Sequence, residues 1–164
     1  DFPRPTVAAL NGGAYGGGLE IALACDLIIA EAGSSVGFPE VKLGVFPGSG
    51  GPARVIRRIG ESRAKEFMFF GDPLPVETAH AWGMINKIVE PGAALPTAME
   101  WARRLADGSQ FALEVCKRAV TAAANLPADV AIADSLELTR EAFAGPDVAE
   151  GIRAFFAKEP PTFR

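Results

Sequence analysis

Two acids and a run of glycines are the residues of this chain whose types and spacing suit chemistry. Glycines at 12, 13, 16, 17 and 18 crowd the stretch Asn11-Gly-Gly-Ala-Tyr-Gly-Gly-Gly18, and Glu20 follows two residues later. Glycine loses more chain entropy on folding than other residues, so this density implies positive φ angles or close backbone approach to another group. A tight turn alone would use one or two. The next segment, Leu19-Glu-Ile-Ala-Leu-Ala-Cys25, has a helix-favouring composition, which puts the glycines at a helix start. The first N–H groups of a helix lack intrahelical acceptors, and the helix dipole favours negative charge beside them. Without side chains in the way, such donors can meet a phosphate, or an oxyanion that develops during a reaction.

Glu40 follows Pro39 among Val36, Phe38, Val41 and Leu43, so it shares with Glu20 an apolar neighbourhood. Two buried acids can hold a water between one base and one acid. The plainer alternative is a surface Glu20 on a helix and a loop-edge Glu40. Other chemistries fit the residues less well. Gly13-Ala-Tyr-Gly-Gly-Gly18 does not meet the G-x-G-x-x-G spacing of a dinucleotide site, and no nearby basic residue suggests a P-loop lysine. Ser49 lacks the G-x-S-x-G frame of a hydrolase nucleophile because Pro47 stands at the first glycine position. His80, the single histidine, lies in the helical run Val76 to Trp82 and reads as structural. One His and two distant Cys supply no metal ligand set, so no metal is expected.

The elements that must position these groups follow from patterning. Thr6 to Leu10 and Leu27 to Ala30 are apolar throughout, as strands buried on both faces are. Ser35 to Pro39 reads as an extended passage toward Glu40. A second glycine cluster, Pro47-Gly-Ser-Gly-Gly51, precedes a helix over 53–59, and Gly60 ends that helix or starts the next. Helices over 61–70 and 76–82, parted by Gly71-Asp-Pro, precede a late strand over 85–89. From Ala93 onward the pattern is helical. Val148, Ile152, Phe155 and Phe156 form one apolar stripe there, and Ile132, Leu136 and Phe143 another. These stripes either pack on each other or form a subunit interface.

Composition sets outer bounds. The chain has 164 residues, 49% of them hydrophobic and 22% charged, which suits a folded domain with a sizeable core. A net charge of -4 leaves no footprint for nucleic acid, and Arg57-Arg58 and Arg103-Arg104 read as solvated helix faces. Cys25 and Cys116, far apart in apolar surroundings, read as small buried hydrophobes of a reduced compartment. With no long apolar run and no secretory pattern over residues 1–6, a cytoplasmic location without a membrane span is the expectation.

The string from Asn11 to Glu20, with Ala24-Cys-Asp26, Phe38-Pro-Glu40 and Leu43-Gly-Val-Phe-Pro-Gly-Ser-Gly-Gly51, resembles the enoyl-CoA hydratase/isomerase (crotonase) family. The likeness continues through Gly71-Asp-Pro, Ala79-His-Ala-Trp-Gly83 and Ile88-Val89 to Glu150-Gly-Ile-Arg-Ala-Phe155. It implies an α/β fold, a spiral of strand-strand-helix turns over residues 1–92, followed by a helical region over 93–164 that builds homotrimers, often paired into hexamers. It further implies reversible addition of water to a 2-enoyl-CoA, with coenzyme A as part of the substrate and no separate cofactor.

By that resemblance Glu20 activates the water, Glu40 exchanges a proton at the α carbon, and the Gly17 N–H helps hold the thioester oxygen. Gly16, Gly18, Pro47 and Gly48 are then expected to line the substrate site, and Lys158 to meet the CoA phosphates across a subunit boundary. Three departures stand out. Lys158-Glu-Pro-Pro replaces a more basic stretch, which weakens the Lys158 assignment. Gly51-Pro-Ala-Arg54 replaces the more usual Gly-Thr-Gln-Arg and can alter the pocket wall. The family also has a further segment before the strand at Thr6, which supplies a second oxyanion donor and much of the CoA groove. Alternatives within reach are an isomerase or other enolate-forming acyl-CoA enzyme, and a non-catalytic binding homologue.

Overall fold

A computed structural model describes residues 2–163. Contacts divide the chain into a unit over Thr6–Trp101 and a C-terminal unit from Ala102 onward that takes in the residues before Thr6.

In the first unit, strands β1 (Val7–Leu10) and β2 (Ala14–Tyr15) lead into helix α1 (Gly17–Ala24). Strands β3 (Leu27–Glu31) and β4 (Ser35–Gly37) then lead through a 3-10 turn (Pro39–Leu43) into helix α2 (Gly51–Phe70). After these come β5 (Leu74–Pro75), α3 (Val76–Ala81) and β6 (Lys87–Val89). First strands of successive turns pair with one another, in the order β1-β3-β6, and the others form a second sheet, β2-β4-β5. β1 and β3 are parallel with Val7 opposite Leu27, and β2 and β4 are parallel with Ala14 opposite Val36. One turn of the spiral therefore consumes about the interval that separates Glu20 from Glu40. Both acids follow the second strand of their turn, so the coil brings them to corresponding places.

The core of this unit is apolar. Leu19, Ile28, Ile29, Val36, Phe38, Val55, Val76 and Met84 are fully buried. Phe38 stacks at a tilt on Phe67, with ring centroids 5.6 Å apart. Because Ile28 and Ile29 are neighbours in β3 and both are buried, that strand is covered on both faces, as its unbroken apolar run requires.

Local differences from the sequence expectations have physical reasons. The two-residue strands β2 and β5 and the 3-10 turn are too short to carry a periodic signal. The helices expected over 53–59 and 61–70 form one element broken at Gly60, whose φ of 78° and ψ of 166° are accessible chiefly to glycine. Cys25 is half-buried and Cys116 exposed, which corrects the expectation of two buried thiols. α5 buries only Val115, and Cys116 stands next to that contact line and not on it.

The second unit is helical. α4 (Ala94–Ala106) crosses the boundary between the units, and α5 (Gln110–Ala123), α6 (Ala128–Phe143) and α7 (Val148–Ala157) follow. Ser109 caps α5, its hydroxyl accepting from the Ala112 N–H at 3.1 Å and donating to Asp147 at 2.7 Å. α6 packs on α5 and buries Ala131 and Leu138, a face adjacent to the one carrying Ile132, Leu136 and Phe143. Those three side chains and Ile152, Phe155 and Phe156 are exposed, so the two stripes do not cover each other within the chain. Among the described residues, no helix is long and apolar enough to cross a membrane.

Candidate active site

The glycine-rich segment does open a helix. Gly16 is the N-cap of α1 with φ 53° and ψ -129°, and its N–H donates to Gly37 O at 2.9 Å, tying the helix start to β4. A side chain there would be strained, and its Cβ would lie 2.9 Å from Glu40 Oε1. Glu40 thus lies against the α-carbon of Gly16. Gly17 and Gly18 occupy the first helical positions, where N–H groups have no intrahelical acceptor. Both are exposed, and a Cβ at either would meet nothing within 4 Å. Donors and open space therefore coincide at Gly17 and Gly18.

Glu20 stands one turn further along α1 and is only 5% exposed, so the surface alternative does not hold. Its N–H closes the first helical turn on Gly16 O at 3.0 Å. Its Oε1 accepts from the Gly51 N–H at 2.8 Å. Gly51 begins α2, so this carboxylate caps a second helix N-terminus, where the dipole favours its charge. A Cβ on Gly51 would lie 3.1 Å from Glu20 Oε1, from Phe38 Cζ and from Pro47 Cβ alike. Glycine is required there for the helix start to reach the acid.

Glu40 is placed differently. It is the second residue of the 3-10 turn, begun by Pro39 and ended by Gly44 in the left-handed region at φ 77°. Its backbone oxygen accepts from Val45 N–H at 3.1 Å. Its Oε2 is buried and has no hydrogen-bond partner among the described residues. A buried carboxylate oxygen without a partner is costly, and most such atoms in proteins are satisfied.

The structure brings Glu20, Glu40, Gly16, Gly17, Gly18 and Pro47 to one region around the start of α1. Pro47 is buried against Gly51, and Gly48, next to it, is exposed in the loop leading to α2. Lys158 belongs to the C-terminal unit, where it ends α7 as an exposed residue with φ 56°. Gly51 is the contributor that sequence reasoning missed. The available signal was its place as the last glycine of the cluster before α2. His80 Nδ1 lies 2.8 Å from Ile85 O, a structural contact within its own turn. Among the described residues, no group of three His, Cys, Asp or Glu could hold a metal ion.

A family model described as enoyl-CoA hydratase/isomerase matches residues 1–164. A probable mitochondrial enoyl-CoA hydratase of Dictyostelium discoideum is 38% identical over 160 residues, 98% of this chain and 58% of that protein. An enoyl-CoA isomerase/hydratase of Mycosarcoma maydis is 40% identical over 167 residues, 99% of this chain and 60% of that protein. A solved enoyl-CoA hydratase from Mycobacterium tuberculosis H37Rv superposes with a TM-score of 0.94 at 36% identity, over 99% of this chain and 64% of that one. The chain spans about 60% of the length of the curated relatives it matches. With that coverage, and with the spiral of strand pairs closing on the glycine-rich helix start, the chain belongs to the enoyl-CoA hydratase/isomerase family and has its crotonase-like fold.

Proposed function

We propose that this chain carries the two acids and one oxyanion donor of an enoyl-CoA hydratase. The reaction is reversible syn addition of water to a 2-enoyl-CoA, giving a 3-hydroxyacyl-CoA. The observation that carries the reading is the unequal pairing of two acids beside one helix start. Glu20 accepts from the Gly51 N–H, while Glu40 Oε2 is buried with no partner among the described residues.

In this reading Glu20 takes a proton from water as the water oxygen forms its bond to the β carbon. The electron pair of the double bond moves through the α carbon onto the thioester oxygen, beside the Gly17 N–H. The enolate then collapses as the α carbon takes a proton from the Glu40 carboxyl. Water has been added across the bond, no electrons have been gained or lost, and proton exchange with solvent returns Glu20 to a carboxylate and Glu40 to a carboxyl. Neither step calls on a redox cofactor or a metal, and coenzyme A enters as part of the substrate. Gly16, Gly18, Pro47 and Gly48 border the acyl thioester, and Lys158 is assigned to CoA phosphate.

Isomerisation or another enolate reaction would use the same oxyanion donor. Retention of both acids, each packed against a glycine of a helix start, favours hydration over these and over a non-catalytic role. Loss of the conjugated absorbance of a short 2-enoyl-CoA measures it directly. Glu20→Gln and Glu40→Gln are each expected to lower that rate about a hundredfold or more, the usual contribution of a general acid or base. Rates within about threefold of the parent in both variants would rule the mechanism out. The exposed stripes of α6 and α7 are assigned to contacts between copies, as a homotrimer or a pair of trimers.

A further inference from the structure

Arg58 takes no part in the proposed chemistry, yet its guanidinium is spent on backbone carbonyls. It sits on the last turn of α2 before the break at Gly60. Nη2 donates to Cys25 O at 2.6 Å and reaches Asp26 O at 3.4 Å, and Nη1 donates to Met84 O at 3.2 Å. Cys25 is the C-cap of α1, a helix with no basic residue of its own in its last turn. Arg58 therefore supplies from α2 the cation that the negative end of α1 lacks. Burial pushes the Arg58 guanidinium below its ordinary value, and Asp26 opposes that shift.

A second hydrogen bond joins the same helices. At the other end, the first residue of α2 donates to Glu20. From Gly51 to Arg58 is seven residues, about 10 Å along a helix, and from Glu20 to Cys25 five residues, about 7.5 Å. α1 and α2 pack on each other, and the two hydrogen bonds lie toward opposite ends of that contact. A single hydrogen bond fixes a distance and leaves an angle free; two bonds a full turn or more apart fix both. The Arg58 contact therefore adds an angular restraint to the packing of Leu19 and Leu23 in the same core as Val55 and Ile59.

We propose that Arg58 is a positioning residue for Glu20, holding the C-terminal end of α1 on α2 so that the Gly51 hydrogen bond sets the carboxylate's aim. The effect on turnover rests on the hydratase reading; the alignment of Gly51 with Glu20 does not. Lysine at this position keeps the charge but cannot fork to carbonyls on two segments. The test compares Arg58→Lys and Arg58→Met with the parent in the complete protein, labelled with 15N-glycine. Glu20→Gln provides the reference for a Gly51 amide that has lost its carboxylate partner.

The Gly51 amide resonance is expected to move in both variants toward its position in Glu20→Gln. kcat is expected to fall about tenfold with KM nearly unchanged, because misaim of a reacting group lowers turnover more than binding. A Gly51 resonance that stays put in folded Arg58→Lys overturns the proposal. So does an unchanged kcat in a parent that hydrates the substrate. If Arg58→Met fails to fold, Arg58→Lys decides alone. If the parent shows no hydration, the functional reading falls and the amide shift still decides the clamp.

Discussion

At the scale of single residues, glycines of this site differ in what a methyl group would do. At Gly51 the new Cβ would crowd Glu20 Oε1, Phe38 Cζ and Pro47 Cβ, each at 3.1 Å. Phe38 and Pro47 are buried and cannot retreat, so the carboxylate must. Gly51→Ala is expected to lower hydration about tenfold or more, since small displacements of a positioned group cost rate steeply. Gly18→Ala places its methyl in open space and improves helix propensity by up to about 1 kcal/mol. Its thermal midpoint should hold or rise while KM for a 2-enoyl-CoA increases, because the methyl enters room reserved for the ligand. A Gly18→Ala protein with parental KM would remove Gly18 from the substrate site. The apolar company of Glu20 and Glu40 was legible in the sequence, while their roles came from the family resemblance and not from residue type. The partnership of Gly51 with Glu20 was not legible, because their bond joins residues 31 apart in the chain.

At the scale of elements, the long ones were legible and the short ones were not. β1 and β3 announced themselves through apolar runs, α1 through its composition, and α6 and α7 through periodic stripes. The 3-10 turn that aims Glu40 is set by Pro39 at its start and Gly44 at its end, with no repeating signal between. The end of α7 offers an element-level prediction of a different kind. Arg153 forms a two-pronged pair with Glu150, Nε at 2.7 Å and Nη2 at 2.9 Å, and the Thr162 N–H donates to the same carboxylate at 2.9 Å. The Arg153 hydrogen bonds, with that of Thr162 next, hold the Glu150 carboxyl down at about 2, against an ordinary 4.5. The folded value lies below the unfolded one, so the stabilisation is present above about 4.5 and is lost as pH falls through 2. Parent and Glu150→Gln should therefore differ in stability by a constant amount at neutral pH and converge between pH 4.5 and 2. Denaturant midpoints at a series of pH values read this directly. A difference that persists unchanged at pH 2 would mean that the pair does not anchor the residues after α7.

At the scale of the whole molecule, the spiral repeats in geometry without repeating in residues. β1 pairs with β3 and β2 with β4 although their sequences share no motif, since each turn needs only buried strands and a break. That freedom is why patterning located the strands but not their pairing. The C-terminal helices raise the opposite problem of an apolar surface larger than the chain itself covers. Phe155 is 77% and Phe156 79% exposed on α7, with Ile132, Leu136 and Phe143 likewise exposed on α6. Each aromatic ring, when covered, removes roughly 150–250 Å² from water, worth about 25 cal/mol per Å². Isolated exposed hydrophobics are ordinary, but faces this dense mark contacts with another surface. With a second and third copy as that surface, sedimentation of the complete protein at about 10 µM should give a trimer or hexamer, an association at least of micromolar strength. Phe155→Ser combined with Phe156→Ser should shift the mass toward the protomer, because both positions lose their contribution in every copy of a closed symmetric assembly. A parent that sediments as a monomer, or a double variant that keeps the parental mass, would leave these faces to a different partner.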